Sequence, residues 1–321
     1  MTVKEQILTY IEKNQPVSPK IILENVEIGE QMLYRHLKKL VEENKIEKIG
    51  SSPKVFYRTK SNSQIMLSAI LAKDIVDVLE THFYHITPSG KELIGKEGFI
   101  SWCLARNFDL QKKSQEFLGI IKKYQNLRKN DLLDATAKLK STFPKGADEL
   151  YYYDFYSIEI FGKTKLGQKL LYAKQSENRK LMKELSIAIK PALDNLIKRK
   201  SIDAVAYVQP TVPRKVQFMK VLEKELSLSI PIIHITKVSN DIRVPQKTLR
   251  KLADRIENAN ETFVVESNTS FKKVLLIDDA VGSGASINQI ALKIKNKGLA
   301  KQVIGFAITG SLNDFDIISE A

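Results

Sequence analysis

Lys272–Leu292, KKVLLIDDAVGSGASINQIAL, is the stretch whose reading decides the fold. Val274, Leu275, Leu276 and Ile277 form a short unbroken apolar run, the pattern of a parallel strand covered on both faces. Asp278 and Asp279 close it. Gly282, Ser283, Gly284, Ala285 and Ser286 follow, small residues that let the backbone turn sharply with its N–H groups inward, at the head of an amphipathic helix whose dipole favours an anion. The stretch reads as a phosphate cradle, with a plain strand-turn-helix as the bland alternative. It has neither the Gly-Lys-Ser/Thr ending of a P-loop nor the GxGxxG opening of a dinucleotide site.

Working outward, the segment from Tyr151 opens on the aromatic run YYYDFYSIEIFG and continues into helical patterns at LGQKLLYAKQ and NRKLMKELSIAIKPALDNLIKR. Asp203–Val208 is a second buried strand, leading into Gln209-Pro210-Thr211-Val212-Pro213-Arg214-Lys215. The helix KVQFMKVLEKEL, the strand PIIHI, the opening stretch and VIGFAIT complete a strand-helix alternation. Such alternation predicts an α/β fold, a parallel sheet with helices on both faces. Ligands in such sheets bind at the carboxyl ends of the strands, where the 209–215 and 278–286 loops belong.

The order apolar strand, Asp-Asp, two residues, then five small residues resembles the phosphoribosyl pyrophosphate (PRPP) loop of type I phosphoribosyltransferases. The resemblance implies that Asp278 and Asp279 hold the ribose hydroxyls and stabilise charge developing on the sugar. It also implies that Gly282, Ser283, Gly284, Ala285 and Ser286 hold the 5′-phosphate, with Mg²⁺ carried by PRPP and not by direct side-chain ligation. Threonines are usual at several of these loop positions; the serines keep a hydroxyl and Gly282 loses one. Upstream, Gln246, Leu249, Arg255, Asn258 and Phe263 resemble the pattern that precedes this loop in ComF-like members. In those proteins a proline- and arginine-containing turn follows the second strand, which implies that Arg214 and Lys215 face pyrophosphate. Alone, Gln246 and Arg255 would better fit a capped, solvated helix; their order before the loop brings the two readings level.

Toward the N-terminus, VKEQILTYIEK places Ile7, Leu8 and Ile11 on one helical face. Ser18 reads as an N-cap with Pro19 at the first helical position, and a third helix carries Met32, Leu33, Leu37, Leu40 and Val41. IEKIG and VFYRT flank a hairpin turn at Gly50–Pro53. Three helices and a hairpin resemble a winged helix-turn-helix, which implies Tyr34, Arg35, Lys38 and Lys39 in a DNA major groove and Lys54 and Arg58 near phosphates. Winged helices also dock proteins or dimerise. Residues from about 63 to 143 read as mostly helical, with HITPSGKELIGKEGFISW as an interrupting loop. The expected domains are 1–61 (winged helix), 62–147 (helical connector) and 148–321 (phosphoribosyltransferase-like).

The chain has 321 residues and a net charge of +14. Residues 151–321 carry 27 Lys/Arg against 18 Asp/Glu, residues 1–60 carry 11 against 8, and residues 61–150 carry 13 against 11. The excess concentrates beside the phosphate loop, which suits a polyanionic ligand, nucleic acid, or a merely solvated lysine-rich surface. No apolar run approaches the ~18 residues of a membrane span, and no signal-peptide pattern opens the chain, so a soluble cytoplasmic protein is expected. Cys103 is the only cysteine, which excludes an internal disulfide; its neighbours suggest a core thiol. His36, His82, His85 and His234 show no ligand spacing.

Three functions remain open. One is a PRPP-using phosphoribosyltransferase coupled to DNA, in DNA uptake, processing or antiphage defence. Another is a PRPP-sensing regulator without turnover, resembling the purine repressor. The last is a nucleotide-targeting defence effector. A homodimer or a protein complex fits each.

Overall fold

The computed structural model describes residues 2–43, 45–59, 71–210, 212, 214–238, 241–242 and 244–311. Thr211 and Pro213 of the expected turn, and the expected boundary at residues 61–62, lie outside them. The chain divides into two compact units, 1–70 and 71–321.

The first unit holds helices α1 (Val3–Asn14), α2 (Pro19–Asn25) and α3 (Glu30–Glu42) and an antiparallel hairpin of β1 (Ile46–Ser51) and β2 (Lys54–Thr59). Ser18 caps α2 ahead of Pro19, accepting the Ile21 N–H at 3.4 Å. Ile7, Ile11, Ile22, Leu33, Leu37, Leu40, Ile46 and Tyr57 form one apolar cluster. Met32 and Val41, which share the helical spacing of the third helix, are exposed, because the buried stripe of α3 is narrower than its apolar content.

The second unit is built on an eight-stranded, mostly parallel sheet. In chain order its neighbourhood contains the hairpin β3 (Tyr84–Ile86) and β4 (Glu92–Ile94), β5 (Arg128–Lys129), β6 (Leu132–Asp134), β7 (Glu149–Phe155) and the two-residue strands β8 (Ser157–Ile158) and β9 (Gly162–Lys163). There follow β10 (Ala204–Tyr207), β11 (Ile232–Lys237), β12 (Phe263–Glu266), β13 (Phe271–Val281) and β14 (Ala300–Gly310). The main sheet runs β12-β11-β10-β13-β14-β7-β6-β5. Its central pairings are parallel, and antiparallel strands extend both edges.

Alternate residues of each central strand enter different cores. Ala204, Ala206, Val274, Leu276, Val303 and Ala307 pack with the helix Ala285–Asn296 and with residues 71–147. Val205, Tyr207, Leu275, Ile277, Ile304 and Phe306 pack against the helices Lys165–Gln175, Arg179–Lys200 and Phe218–Leu226.

The region expected to be mostly helical contains two hairpins. HITPSGKELI is β3, a turn with Gly90 at φ 81°, and β4; GKEGFISWCL is itself a helix. Lys129 and Leu132 pair across Asn130 and Asp131, both at positive φ, the two-residue turn that suits the twist of a hairpin. That turn breaks the helical periodicity and lets β6 join the sheet beside β7. Among the described residues no helix is long and apolar enough to cross a membrane.

Candidate functional site

From β10 the chain moves outward to β11, then returns to the other side of β10 as β13. The direction of winding reverses there, and loops leaving the carboxyl ends of the two strands part to form a crevice. A cleft of about 200 Å³ lies at this point.

Asp278 and Asp279 both line it. They do not end the strand: β13 continues to Val281, with Asp278 opposite Ala307 and Ala280 opposite Thr309. Asp278 Oδ1 accepts the backbone N–H of Asp279 at 2.8 Å. Asp279 Oδ2 pairs with Lys174 Nζ at 2.9 Å. Asp278 keeps some surface toward the cleft, but dense protein around it, followed by the adjacent Asp279, pushes its carboxyl up to about 8. The Asp279 N–H, Lys174 and Lys237 pull the other way without offsetting burial.

Of the five small loop residues, Gly282 and Ser286 line the cleft. Gly284 takes the left-handed conformation (φ 74°) that a side chain would strain, and caps the helix Ala285–Asn296. Ser283 is buried and accepts the Ala285 N–H at 3.4 Å. Ser283, Gly284 and Ala285 thus shape the turn from behind. The first N–H groups of the helix have no intrahelical acceptors, and its positive end adjoins the cleft through Ser286.

Arg214, Pro245, Gln246, Arg255 and Phe263 also line the cleft. Lys215 is exposed and is not among the lining residues. Gln246 Nε2 donates to the Arg255 carbonyl at 3.0 Å, and Arg255 Nε donates to the Leu249 carbonyl at 2.7 Å. Arg255 is 6% exposed and its Nη2 has no hydrogen-bond partner; burial lowers its pKa. Asn258 is not among the lining residues; its Nδ2 donates to the Val244 carbonyl at 3.4 Å, and its Oδ1 is buried and unpartnered.

Two cations near the acids escaped sequence reasoning; Lys174 lines the cleft and Lys237 does not. Lys174 lies on the helix Lys165–Gln175, about a hundred residues from its partner Asp279, and no local spacing links them. Lys237 ends β11 with Nζ buried, unpartnered and 4.2 Å from the centre of the Phe263 ring. Burial pulls its pKa down to about 8, against the attraction of Asp278. A signal for it existed: Ile233, Ile235 and Lys237 alternate, so the lysine shares the buried face of the strand.

Among the described residues no three His, Cys, Asp or Glu side chains converge as a metal cage. Asp278 and Asp279 are the acids that line the cleft. A hard cation held there would complete its oxygen shell from a ligand and water. Cys103 is buried in the core, and burial raises its thiol to about 11.

In the first unit, Leu33, Leu37 and Leu40 face inward on α3 and leave Tyr34, Arg35, Lys38 and Lys39 together on the exposed side. Lys54 is exposed on β2. Arg58 is engaged by Glu47, with Nε and Nη2 each 2.6 Å from Oε1.

No family model matches the sequence, and no curated protein matches it. Among solved structures, the chain is similar to an adenine phosphoribosyltransferase, with 16% identity and a TM-score of 0.29 over 42% of this chain and 72% of that one. A hypoxanthine phosphoribosyltransferase from Staphylococcus aureus shows 13% identity and a TM-score of 0.26 over 43% and 70%. An adenine phosphoribosyltransferase from Trypanosoma brucei, solved in complex with AMP, pyrophosphate and ribose-5-phosphate, shows 12% identity and a TM-score of 0.27 over 53% and 88%.

Proposed function

We propose that the second unit is a type I, ComF-like phosphoribosyltransferase domain that binds Mg-PRPP in the β10/β13 cleft, and that the first unit is a DNA-binding winged helix. The observation that carries the reading is the meeting in one cleft, at the switch in strand order, of the Asp278–Asp279 pair, the small-residue turn and helix end, and Arg214, Gln246 and Arg255. The acids suit sugar hydroxyls, the turn suits a terminal phosphate, and the cations suit a departing diphosphate. Loss of diphosphate from the anomeric carbon leaves positive charge on the ribose, which carboxylates at this place stabilise. Mg²⁺ bound with PRPP would supply neutralisation of the diphosphate oxygens. The work of the chain's own residues is then positioning and electrostatics.

Calorimetry with Mg-PRPP, followed by pyrophosphate release measured across nucleobases, tests the reading. Binding with base-dependent release is the expected result; absence of binding, or binding unchanged in Asp278→Asn/Asp279→Asn, removes it. A second reading, a PRPP sensor that does not turn the ligand over, is favoured by Gly282 in place of a hydroxyl and by the Lys174 ion pair already held by Asp279. Binding without release selects it.

For the first unit, the exposed cluster Tyr34, Arg35, Lys38 and Lys39 supports DNA contact, with Lys54 the freer wing cation because Glu47 holds Arg58. DNA affinity is expected to fall as salt rises. Arg35→Ala/Lys38→Ala/Lys39→Ala should weaken it at least about tenfold, since each lost phosphate contact also flattens the salt dependence. A filter-binding series in which the triple variant matches wild type would leave a protein-docking module instead.

A further inference from the structure

Lys174 lines the cleft and meets Asp279 Oδ2 at 2.9 Å, with the lysine side chain 18% exposed and the carboxylate 14%. It sits in the last turn of the helix Lys165–Gln175, and that helix is fixed at its other end. Thr164 caps it, accepting the Gly167 N–H at 2.9 Å and donating to the Phe155 carbonyl at 2.7 Å. Gly167 passes so close to the Tyr156 carbonyl that any side chain there would meet its oxygen. Gln168 Nε2 donates to the Tyr84 carbonyl at 2.6 Å. A helix pinned in this way delivers its ammonium to one place, unlike a lysine on an open surface.

The acids have four carboxylate oxygens between them. Asp278 Oδ1 accepts the Asp279 N–H and Asp279 Oδ2 accepts from Lys174, which leaves Asp278 Oδ2 and Asp279 Oδ1 toward a ligand. The charges are also matched from within the chain. Lys174 and Lys237, on different elements, both attract Asp278, so two carboxyls stand among two ammoniums. A divalent cation coming alone to this pair would meet their repulsion in a site that water screens poorly. Nor does a third His, Cys, Asp or Glu join the acids among the described residues. Without Lys174 the balance reverses: two adjacent carboxylates repel each other and call for a counter-ion.

We infer that Lys174 is a positioning residue and the built-in counter-ion of the acid pair: it fixes the Asp279 carboxylate toward a sugar hydroxyl and holds the charge place that a divalent cation would otherwise take. The sugar-phosphate half of the ligand then binds without metal, and Mg²⁺ is needed only where a diphosphate carries it. The sugar's place at the acids rests on the PRPP reading above; the counter-ion role does not.

Two probes, ribose 5-phosphate and Mn²⁺ alone, are applied to the full chain above pH 8, where Asp278 is ionised. By calorimetry, wild type should bind ribose 5-phosphate equally within about twofold in EDTA and in Mg²⁺. Lys174→Met should lose at least about tenfold in EDTA and recover most of it in Mg²⁺, while Lys174→Arg, which keeps the charge, should stay independent of metal. By paramagnetic resonance without sugar, wild type should leave Mn²⁺ free, Lys174→Met should bind it, and Lys174→Met/Asp279→Asn should not. Mn²⁺ should also raise the melting temperature of Lys174→Met and leave that of wild type unchanged, a response that loss of a merely structural ion pair would not produce.

Wild type that takes up Mn²⁺ without sugar, or that needs Mg²⁺ for ribose 5-phosphate, overturns the role with no variant required. So does a Lys174→Met protein that takes up no Mn²⁺, or that binds ribose 5-phosphate in EDTA within about twofold of wild type. If ribose 5-phosphate binds in neither medium while Lys174→Met gains Mn²⁺, the phosphoribosyl reading falls and the counter-ion stands.

Discussion

On the β13 side of the cleft the acids have hydrogen-bond or ion-pair partners within the chain. Lys174 holds Asp279, the Asp279 N–H holds an oxygen of Asp278, and Gly284 and Ser283 set the turn that presents the helix end. On the β11 side, Lys237 and Arg255 are equally buried in character, yet each keeps a donor with no acceptor. The difference separates groups that the folded chain pairs from groups that it buries and leaves unpaired.

The comparison breaks most sharply at the acids. Asp278→Asn/Asp279→Asn should weaken Mg-PRPP about a hundredfold or more by calorimetry above pH 8, where Asp278 is ionised and two charge-assisted contacts disappear together. On the answered side, Lys174→Met strips the cation from a pair that is largely buried, so chemical denaturation should show a loss of about 2 kcal/mol. Its counterpart Lys237→Met should move stability in the opposite direction. A loss in both would show that the two halves do not differ in kind.

The pH dependence sharpens the contrast. Asp278 holds its proton to about 8 in the folded chain but releases it near 3.8 when unfolded, so between those values the folded state binds more protons and stability falls as pH rises. Lys237 releases its proton near 8 when folded and near 10.5 when unfolded; there the unfolded state binds more protons and stability recovers. The ligand-free protein should therefore show a dip in melting temperature near pH 8. The advantage of Asp278→Asn over wild type should grow from pH 4 to 8, and that of Lys237→Met should shrink from pH 8 toward 10.5. Flat difference curves in both variants would contradict the two environments described.

The smallest expected effect lies at the turn after β10. Arg214→Ala should weaken pyrophosphate by roughly threefold to tenfold, whereas Lys215→Ala should leave it within about twofold, because Arg214 lines the cleft and Lys215 faces solvent. Equal losses would place the 209–215 turn against the ligand as a whole.

The acids and the turn were readable in the sequence because they are contiguous. An apolar run, two aspartates and five small residues specify a strand, a turn and a helix start within a single local stretch, although the strand runs on through the acids to Val281. Hairpin periodicity was weaker: two-residue and three-residue strands offer too few alternations to stand out against neighbouring helices, which hid β3 to β6. Lys174 was invisible for a different reason. A helix pattern marks its apolar face, not which cation at its edge will meet an acid far along the chain.

What the sequence by itself determined is the alternation of strands and helices and the chemistry of the Asp278–Ser286 stretch, since both follow from neighbouring residues and short-range sterics. Only the tertiary structure decided that β10 and β13 are adjacent, that the strand order reverses between β11 and β13, and that antiparallel strands close both edges of the sheet. It alone brought Lys174 to Asp279, set Lys237 over the Phe263 ring, and left Lys237 Nζ and Arg255 Nη2 without an acceptor. Hydrogen-bond satisfaction is a property of the packed chain, and an unpaired buried cation exists only after packing has removed water from it.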